Sequence, residues 1–480
     1  MIVEVELRRG VMKLVLGCAL ATGLALVSLP AKSQTATYPP GAGPGPQNSP
    51  PPVNVQPDNY LPFGTLTGDL GGIRSGLAAK GISIGVSYTS ESAANVTGQR
   101  TGVASAGQFA VTNDIDWGTL ASLTGFSTHF AGIDRYGSNL SGSFIGDHIA
   151  QATEAYGASF GAPQFVYGYG EQKMLNGHLE VAAGRLPIGA DFATSQLACI
   201  AVSLTPACPT PRALANQTGF TDWPQSSWGA RMRFRATSEF YVQTGVYEVE
   251  PFPSGGKSGL DWFNHDATGA TIPLEVGWEP TASFNGLPGH YKIGVAEDTS
   301  RYPDLETNTA GQPIGIYDAL PGQNHDGRTS FWFMTEQMIY NRGWQDDQAG
   351  SAHEHGGVLM ASYAHSTSDV SFNSDTAFIA LVDRGLNAAR PNDMVEFMGG
   401  WYGISKQAAS LEETYLALGR PLPDGANGVQ RNEYMLEANY TTSPFRGVAV
   451  QPAVTYFIHP NADSTVKNAL TFELRVNVLF

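Results

Sequence analysis

The sequence predicts an all-β chain: a transmembrane antiparallel β-barrel preceded by a short helix. Three observations carry this. Segments of about ten residues alternate between apolar and polar side chains, the period of a strand with one face in lipid and one in a polar lumen. The chain opens with an export segment, yet no later run approaches the ~20 apolar residues of a membrane helix, so any crossing falls to strands. Charged residues make up 15% of the chain, against about 25% in ordinary soluble domains. With 43 acidic and 27 basic residues the net charge is −16. That balance disfavours a nucleic-acid partner, because phosphate contacts need a basic surface.

Residues 1–33 read as a signal peptide. Arg8, Arg9 and Lys13 precede the apolar run "LVLGCALATGLALVSLP", and "AKS" supplies a small-x-small cleavage site after Ser33. Met12 is an alternative start to Met1, and Cys18 is a rival lipidation site. Two cysteines then remain, Cys199 and Cys208. In an oxidising compartment a disulfide closing this short loop is the expectation, ahead of a metal site. Segment 34–65, with "YPPGAGPGPQNSPPP", is a flexible Pro-rich stretch. The barrel domain is placed at 66–480, with a helix over 69–80: Leu70, Ile73 and Leu77 have helical spacing and Gly81 stops it.

Strand periodicity occupies the rest, about 82–480. Ile82, Ile84, Val86 and Tyr88 alternate with Ser83, Gly85, Ser87 and Thr89. Tyr434, Leu436, Ala438 and Tyr440 alternate with Glu433, Met435, Glu437 and Asn439, and Val448 to Ile458 repeats the pattern. The final stretch "ALTFELRVNVLF" sets Leu470, Phe472, Leu474, Val476, Val478 and Phe480 against Thr471, Glu473, Arg475 and Asn477. A free greasy strand would be a hazard in water. Pairing with the first strand, near Ile82 to Thr89, closes the edge and leaves the greasy face to lipid.

Two hairpins can be registered. "KMLNGHLE" places an Asn176-Gly177 turn that pairs Lys173 with Glu180, Glu171 with Ala182 and Met174 with Leu179. "RMRFRATSEFYVQTG" needs a three-residue turn, Thr237 to Glu239, because paired residues share a face. Arg235 then faces Tyr241, Arg233 faces Gln243 and Arg231 faces Gly245. Short turns lie on the periplasmic side of such barrels, so 186–226 is a long outward loop. It carries both cysteines and "GFTDWPQSSW", and it is a candidate to fold back over or into the pore. "SLEETYLALG" reads as a short helix, with Ser410 and Glu413 at capping-box spacing. His353 and His355 in "HEH" read as a solvated loop rather than a metal site.

At this point "LTGDLGGIRSGLAAKGI", "GRLPIGADFATSQLACI", "GFTDWPQSSWGARMRFR", "FYVQTGVYEVEP" and the C-terminal strand resemble the OprB-type carbohydrate-selective porins, over about 66–480. The resemblance implies an outer-membrane barrel of about sixteen strands that passes small sugars down their gradient, without cofactor. It implies the outer-membrane lipid as surroundings, and insertion machinery that reads the terminal Phe480. The functional unit is left as monomer or homotrimer. The chain departs from the family pattern at Leu70, where the family usually has Trp.

A sugar offers hydroxyls and a partly apolar face, so a selective pore needs fixed donors, acceptors and aromatic surfaces. Arg231, Arg233 and Arg235 present planar donors on one face, with Tyr241 and Gln243 beside them. Glu180, Glu171 and Glu239 are candidate counter-charges. The arginines either line the constriction or pair structurally. Arg185 and Asp191 either touch sugar or anchor the loop, and Trp223 and Trp228 either stack on sugar or act as anchors. Alternatives to a sugar porin are a general solute porin and an exported soluble carbohydrate-binding β protein. No enzyme motif occurs in the sequence.

Overall fold

Alternation along each segment becomes a closed ring of strands in the structure, a computed structural model that describes residues 64–153, 163–195, 197–203, 210–215, 219–250, 266–317, 319–343, 355–423 and 426–480. The signal segment, nearly all of the Pro-rich stretch, Cys208 and His353 lie outside these residues. Sixteen strands pair antiparallel in chain order and close into a barrel. They are β1 Ile82–Asn95, β2 Gly102–Asp116, β3 Phe126–Gly137, β4 Gln164–Met174, β5 Leu179–Leu186, β6 Ser227–Arg235, β7 Phe240–Val249 and β8 Gly269–Trp278, then β9 Gly289–Asn308, β10 Gly322–Asn341, β11 Gly356–Ser366, β12 Asn373–Arg384, β13 Met394–Ile404, β14 Asn432–Phe445, β15 Val448–Ile458 and β16 Ala469–Leu479.

The two faces sort as the alternation demands. On β16, Phe472 and Leu474 are exposed, whereas Thr471, Glu473, Arg475 and Asn477 are buried in the interior. The apolar face is therefore the outer one, suited to lipid. Closure runs from Ser87 opposite Leu479 to Asn95 opposite Thr471, further along β1 than the expected Ile82 to Thr89. The stagger of strands in a barrel moves the seam, and only the Phe480 amide reaches back, to the Val86 carbonyl at 2.9 Å. The N-terminal helix is shorter than the expected 69–80. A 3-10 turn, Leu70–Gly72, precedes α1, Ile73–Ala78. Gly71 and Gly72 at φ +69 and +94 break the two apart. Arg74 of α1 donates to the Phe480 carbonyl, tying the helix to the chain terminus.

Both hairpins have the expected registers. Glu171–Ala182, Lys173–Glu180 and Met174–Leu179 pair across the first. There the turn is wider than Asn176-Gly177 alone, because Leu175, Asn176 and Gly177 all take positive φ. Arg231–Gly245, Arg233–Gln243 and Arg235–Tyr241 pair across the second. Its tight turn works without glycine because Thr237 Oγ1 accepts the Glu239 and Phe240 amides, at 3.2 and 3.1 Å.

The long connection between β5 and β6 enters the barrel. It contains α3, Ile188–Asp191, and α4, Arg212–Ala215; a further short helix, α2, is Trp117–Ala121 between β2 and β3, and α5, Lys406–Ala417, follows β13. The α5 helix starts before the expected Ser410, with Ser405 Oγ capping the Gln407 and Ala408 amides. Ile188, Phe192, Ala198, Ile200, Ala213, Leu214 and Phe220 of the loop are buried. Phe192 meets Tyr247 and Phe220 meets Trp332 edge-on, with ring centres 6.1 and 5.9 Å apart. Glycines on the wall make room: a Cβ at Gly277 would strike the Tyr241 ring and one at Gly294 the Trp332 ring, both at 2.1 Å.

Candidate functional site

The loop and one sector of wall build the site together. Arg231, 4% exposed, ion-pairs with Glu171 at 2.6 Å, Asp191 at 2.8 Å and Glu180 at 3.4 Å. Arg233 lies 3.7 Å from both Glu180 and Asp191, and its Nε donates to Gln243 at 2.7 Å. Strand parity puts these side chains in one ladder, and α3 brings Asp191 to them from the loop. Burial pushes the Asp191 carboxyl above the ordinary range, Glu171 and Glu180 push the same way, and Arg231 and Arg233 pull against them.

Arg233 and Arg235 both stand over the Tyr241 ring, at 5.3 and 5.2 Å from its centre. Arg235 pairs with Glu279 at 3.0 Å. Burial raises the Glu279 carboxyl, but Lys292 and Arg235 outweigh it and hold it below the ordinary range. Glu239, expected as a counter-charge, does not join. It sits in the hairpin turn, its carboxylate on Thr281. A turn residue cannot reach back along the lumen, and Glu279 takes its place.

Glu275 is the residue that the sequence reading missed. It is 1% exposed and accepts from Tyr241 and Gln243 at 2.8 Å each, from the Ala193 amide at 2.9 Å and from Trp332 at 2.7 Å. Gln243 also donates to the Asp191 carbonyl at 2.6 Å, and Lys292 to the Thr194 carbonyl at 2.9 Å. The signal was available: in "GATIPLEVGW" parity puts Glu275 with the buried Thr271, on the inner face.

A second arm of the loop reaches the opposite wall. Glu437 accepts the Val202 and Ser203 amides at 2.8 and 3.1 Å. Arg475 donates to the Ala201 and Val202 carbonyls at 2.7 and 2.9 Å and pairs with Glu91 at 3.0 Å. A third arm docks on β11 and β12, where the Ala213 amide meets Thr376 at 2.8 Å and its carbonyl meets Ser366 at 2.9 Å.

The remaining expected residues hold the loop. Arg185, wholly buried, pairs with Glu250 at 3.1 Å and donates to the Ser226 carbonyl at 2.8 Å. Trp223 donates to Gln108 at 3.2 Å and packs edge-on to Tyr167. Trp228 is half-buried and stands opposite Arg185 in register. His355 is buried rather than solvated, and its carbonyl accepts the Arg342 amide at 2.8 Å. The Cys199–Cys208 pairing involves a residue outside the described part of the chain.

The arrangement sets a polar, charge-laced cross-piece across a closed tube. Comparison with known proteins agrees. Residues 100–480 match the family described as carbohydrate-selective porin, OprB family. Porin B of Pseudomonas aeruginosa is 26% identical over 443 residues, 86% of this chain and 91% of that protein. The putative porin QuiX of Acinetobacter baylyi is 26% identical over 442 residues, 86% and 93% of the two chains. Among solved structures, the high-pH structure of Pseudomonas putida OprB covers 87% of this chain and 99% of its own, at 24% identity and a TM-score of 0.79. The low-pH structure of the same protein aligns with a TM-score of 0.53.

Proposed function

Because the chain belongs to the carbohydrate-selective porin, OprB family, an outer-membrane family of sugar channels, we propose that its selectivity resides where the β5–β6 loop meets the β4–β8 wall. The observation that carries this reading is the loop itself, drawn into the lumen and fastened to Arg231, Arg233 and Glu275. Small sugars pass passively between this cross-piece and the wall. Arg235, the least buried of the three arginines, and the Tyr241 edge offer donors and an aromatic surface. Arg231, Arg233, Glu180 and Asp191 fix the width and polarity of the passage. Arg185, Trp223 and the Cys199–Cys208 link brace the loop.

A fixed donor-acceptor lining replaces sugar hydration without covalent chemistry, so no catalytic role is proposed. One closed barrel is a complete channel, acting alone or as one of three. Phe480, paired into the seam, is the terminus that the insertion machinery reads. Liposome swelling tests the reading. Glucose and maltose should enter faster than amino acids of matched size. Equal rates would leave a general solute porin in its place.

A further inference from the structure

A row of polar side chains stands on the inner face of β2, β3 and β4, outside the set that holds the loop. Asp114 shares its face of β2 with the buried Gln108, Ala110 and Thr112, while Phe109 and Val111 on the other face are exposed. His129 shares its face of β3 with the buried Ala131, Ile133 and Arg135. Asp114 lies opposite His129, His129 opposite Tyr169, and Ser127 opposite Glu171. The row therefore adjoins Glu171, the partner of Arg231 at 2.6 Å. It lies close to the strand ends at Asp116, Phe126 and Met174, the periplasmic end of a barrel inserted with its short turns inward.

His129 Nδ1 lies 2.6 Å from Asp114 Oδ1, and its Nε2 lies 2.9 Å from Ser127 Oγ. A carboxylate only accepts, so the ring proton sits on Nδ1, and the Ser127 hydroxyl donates to Nε2 of the neutral ring. The ring also stacks on Tyr169, with centres 4.9 Å apart, and Tyr167 backs Tyr169 at 5.6 Å. Asp114 is thereby aimed, yet its side chain stays 43% exposed and its Oδ2 takes no hydrogen bond among the described residues. The contrast is Glu275, buried and accepting from four donors. Lys173, at the same mouth, is 35% exposed and lies 3.5 Å from Glu171, a looser contact than Arg231 makes.

We propose that Asp114 and Lys173 form a second subsite for a neutral pyranose at the periplasmic exit, with His129 and Ser127 positioning the carboxylate. The subsite rests on the reading of the channel as a sugar passage. Adjacent hydroxyls of the sugar would donate to Asp114, and Lys173 would donate to a hydroxyl oxygen. Bonds to charged groups are the strong ones, and an acceptor held in place beforehand replaces water that the sugar sheds at the constriction. Conduction needs sites that bind weakly and follow one another, so that the solute can leave each for the next. A sugar released from the Arg231 and Asp191 cross-piece meets Asp114 next on its way inward.

The test uses the full chain as a single barrel in a planar bilayer, with glucose titrated against the ion current. Asp114→Ala should weaken glucose block about 10-fold, and Lys173→Ala should weaken it to a smaller extent. Asp114→Asn keeps the shape and an acceptor for His129, so it should fold as the unmutated chain does and still lose part of the block. Heat-modifiable gel migration checks that each barrel is formed. The 2-deoxy, 3-deoxy and 6-deoxy forms of glucose identify the contact. At least one should block the unmutated chain more weakly than glucose, yet match glucose in the Asp114 variants. If glucose blocks the unmutated chain and all three variants alike, the subsite is overturned and the sugar passage stands. A changed zero-current potential with unchanged glucose block makes Asp114 a charge that tunes cations, which also overturns the subsite. If glucose does not block the unmutated chain, the sugar passage falls and the subsite with it.

Discussion

At the scale of single residues, the constriction is a set of carboxylates and guanidiniums whose positions follow from strand parity. Arg231, Arg233, Glu180 and Gln243 could be placed together from the sequence because each sits an even number of residues from its neighbour on an inner face, and the hairpin fixes their register. Glu239 could not, since its parity said nothing about the turn that removes it from the lumen. Glu275 escaped notice because Pro273, on the same face, argues against a strand there, although Ile272, Leu274 and Val276 alternate regularly around it. Arg233→Ala should raise single-channel conductance and weaken sugar block by about 10- to 150-fold, the worth of a hydrogen bond to a charged group at roughly 1.5–3 kcal/mol. Unchanged conductance and block in planar bilayers would remove Arg233 from the passage.

At the scale of elements, the barrel is held by a closed ladder, and the loop is held by side chains that the ladder presents. Local pattern made the strands legible. The loop's destination depended on contacts distant in sequence, such as Val202 with Glu437 and Ala201 with Arg475, and no periodicity encodes those. Its interior position was legible only as a candidate, from its length and apolar content. Glu437→Ala strips the acceptor from the Val202 and Ser203 amides, a loss of roughly 1–3 kcal/mol per buried group. Larger and noisier current steps should follow, with faster amide exchange at 200–203. Heat-modifiable gel migration should stay as in the unmutated chain, because every strand pair survives.

At the scale of the whole molecule, charge is the strongest feature. The constriction sets Glu171, Glu180, Asp191, Glu275 and Glu279 against Arg231, Arg233, Arg235 and Lys292. The opposite wall adds Glu91, paired with Arg475, and Glu437, which holds the loop amides. This surplus of carboxylates, in a chain of net charge −16, makes the lumen favour cations. In a potassium chloride gradient the zero-current potential should take the cation-selective sign at neutral pH. That preference should shrink as pH falls, because protonation removes negative charge and the raised Asp191 carboxyl titrates above its ordinary range. An anion-selective potential at neutral pH would contradict this account of the lumen. The central claim, that the fastened loop makes a sugar-selective passage, is tested most directly by titrating sugars against the ion current of a single barrel. Stepwise, saturable block by glucose or maltose at either face, absent with amino acids of matched size, is the predicted result. An ion current that no sugar reduces beyond the change in solution conductivity would contradict it.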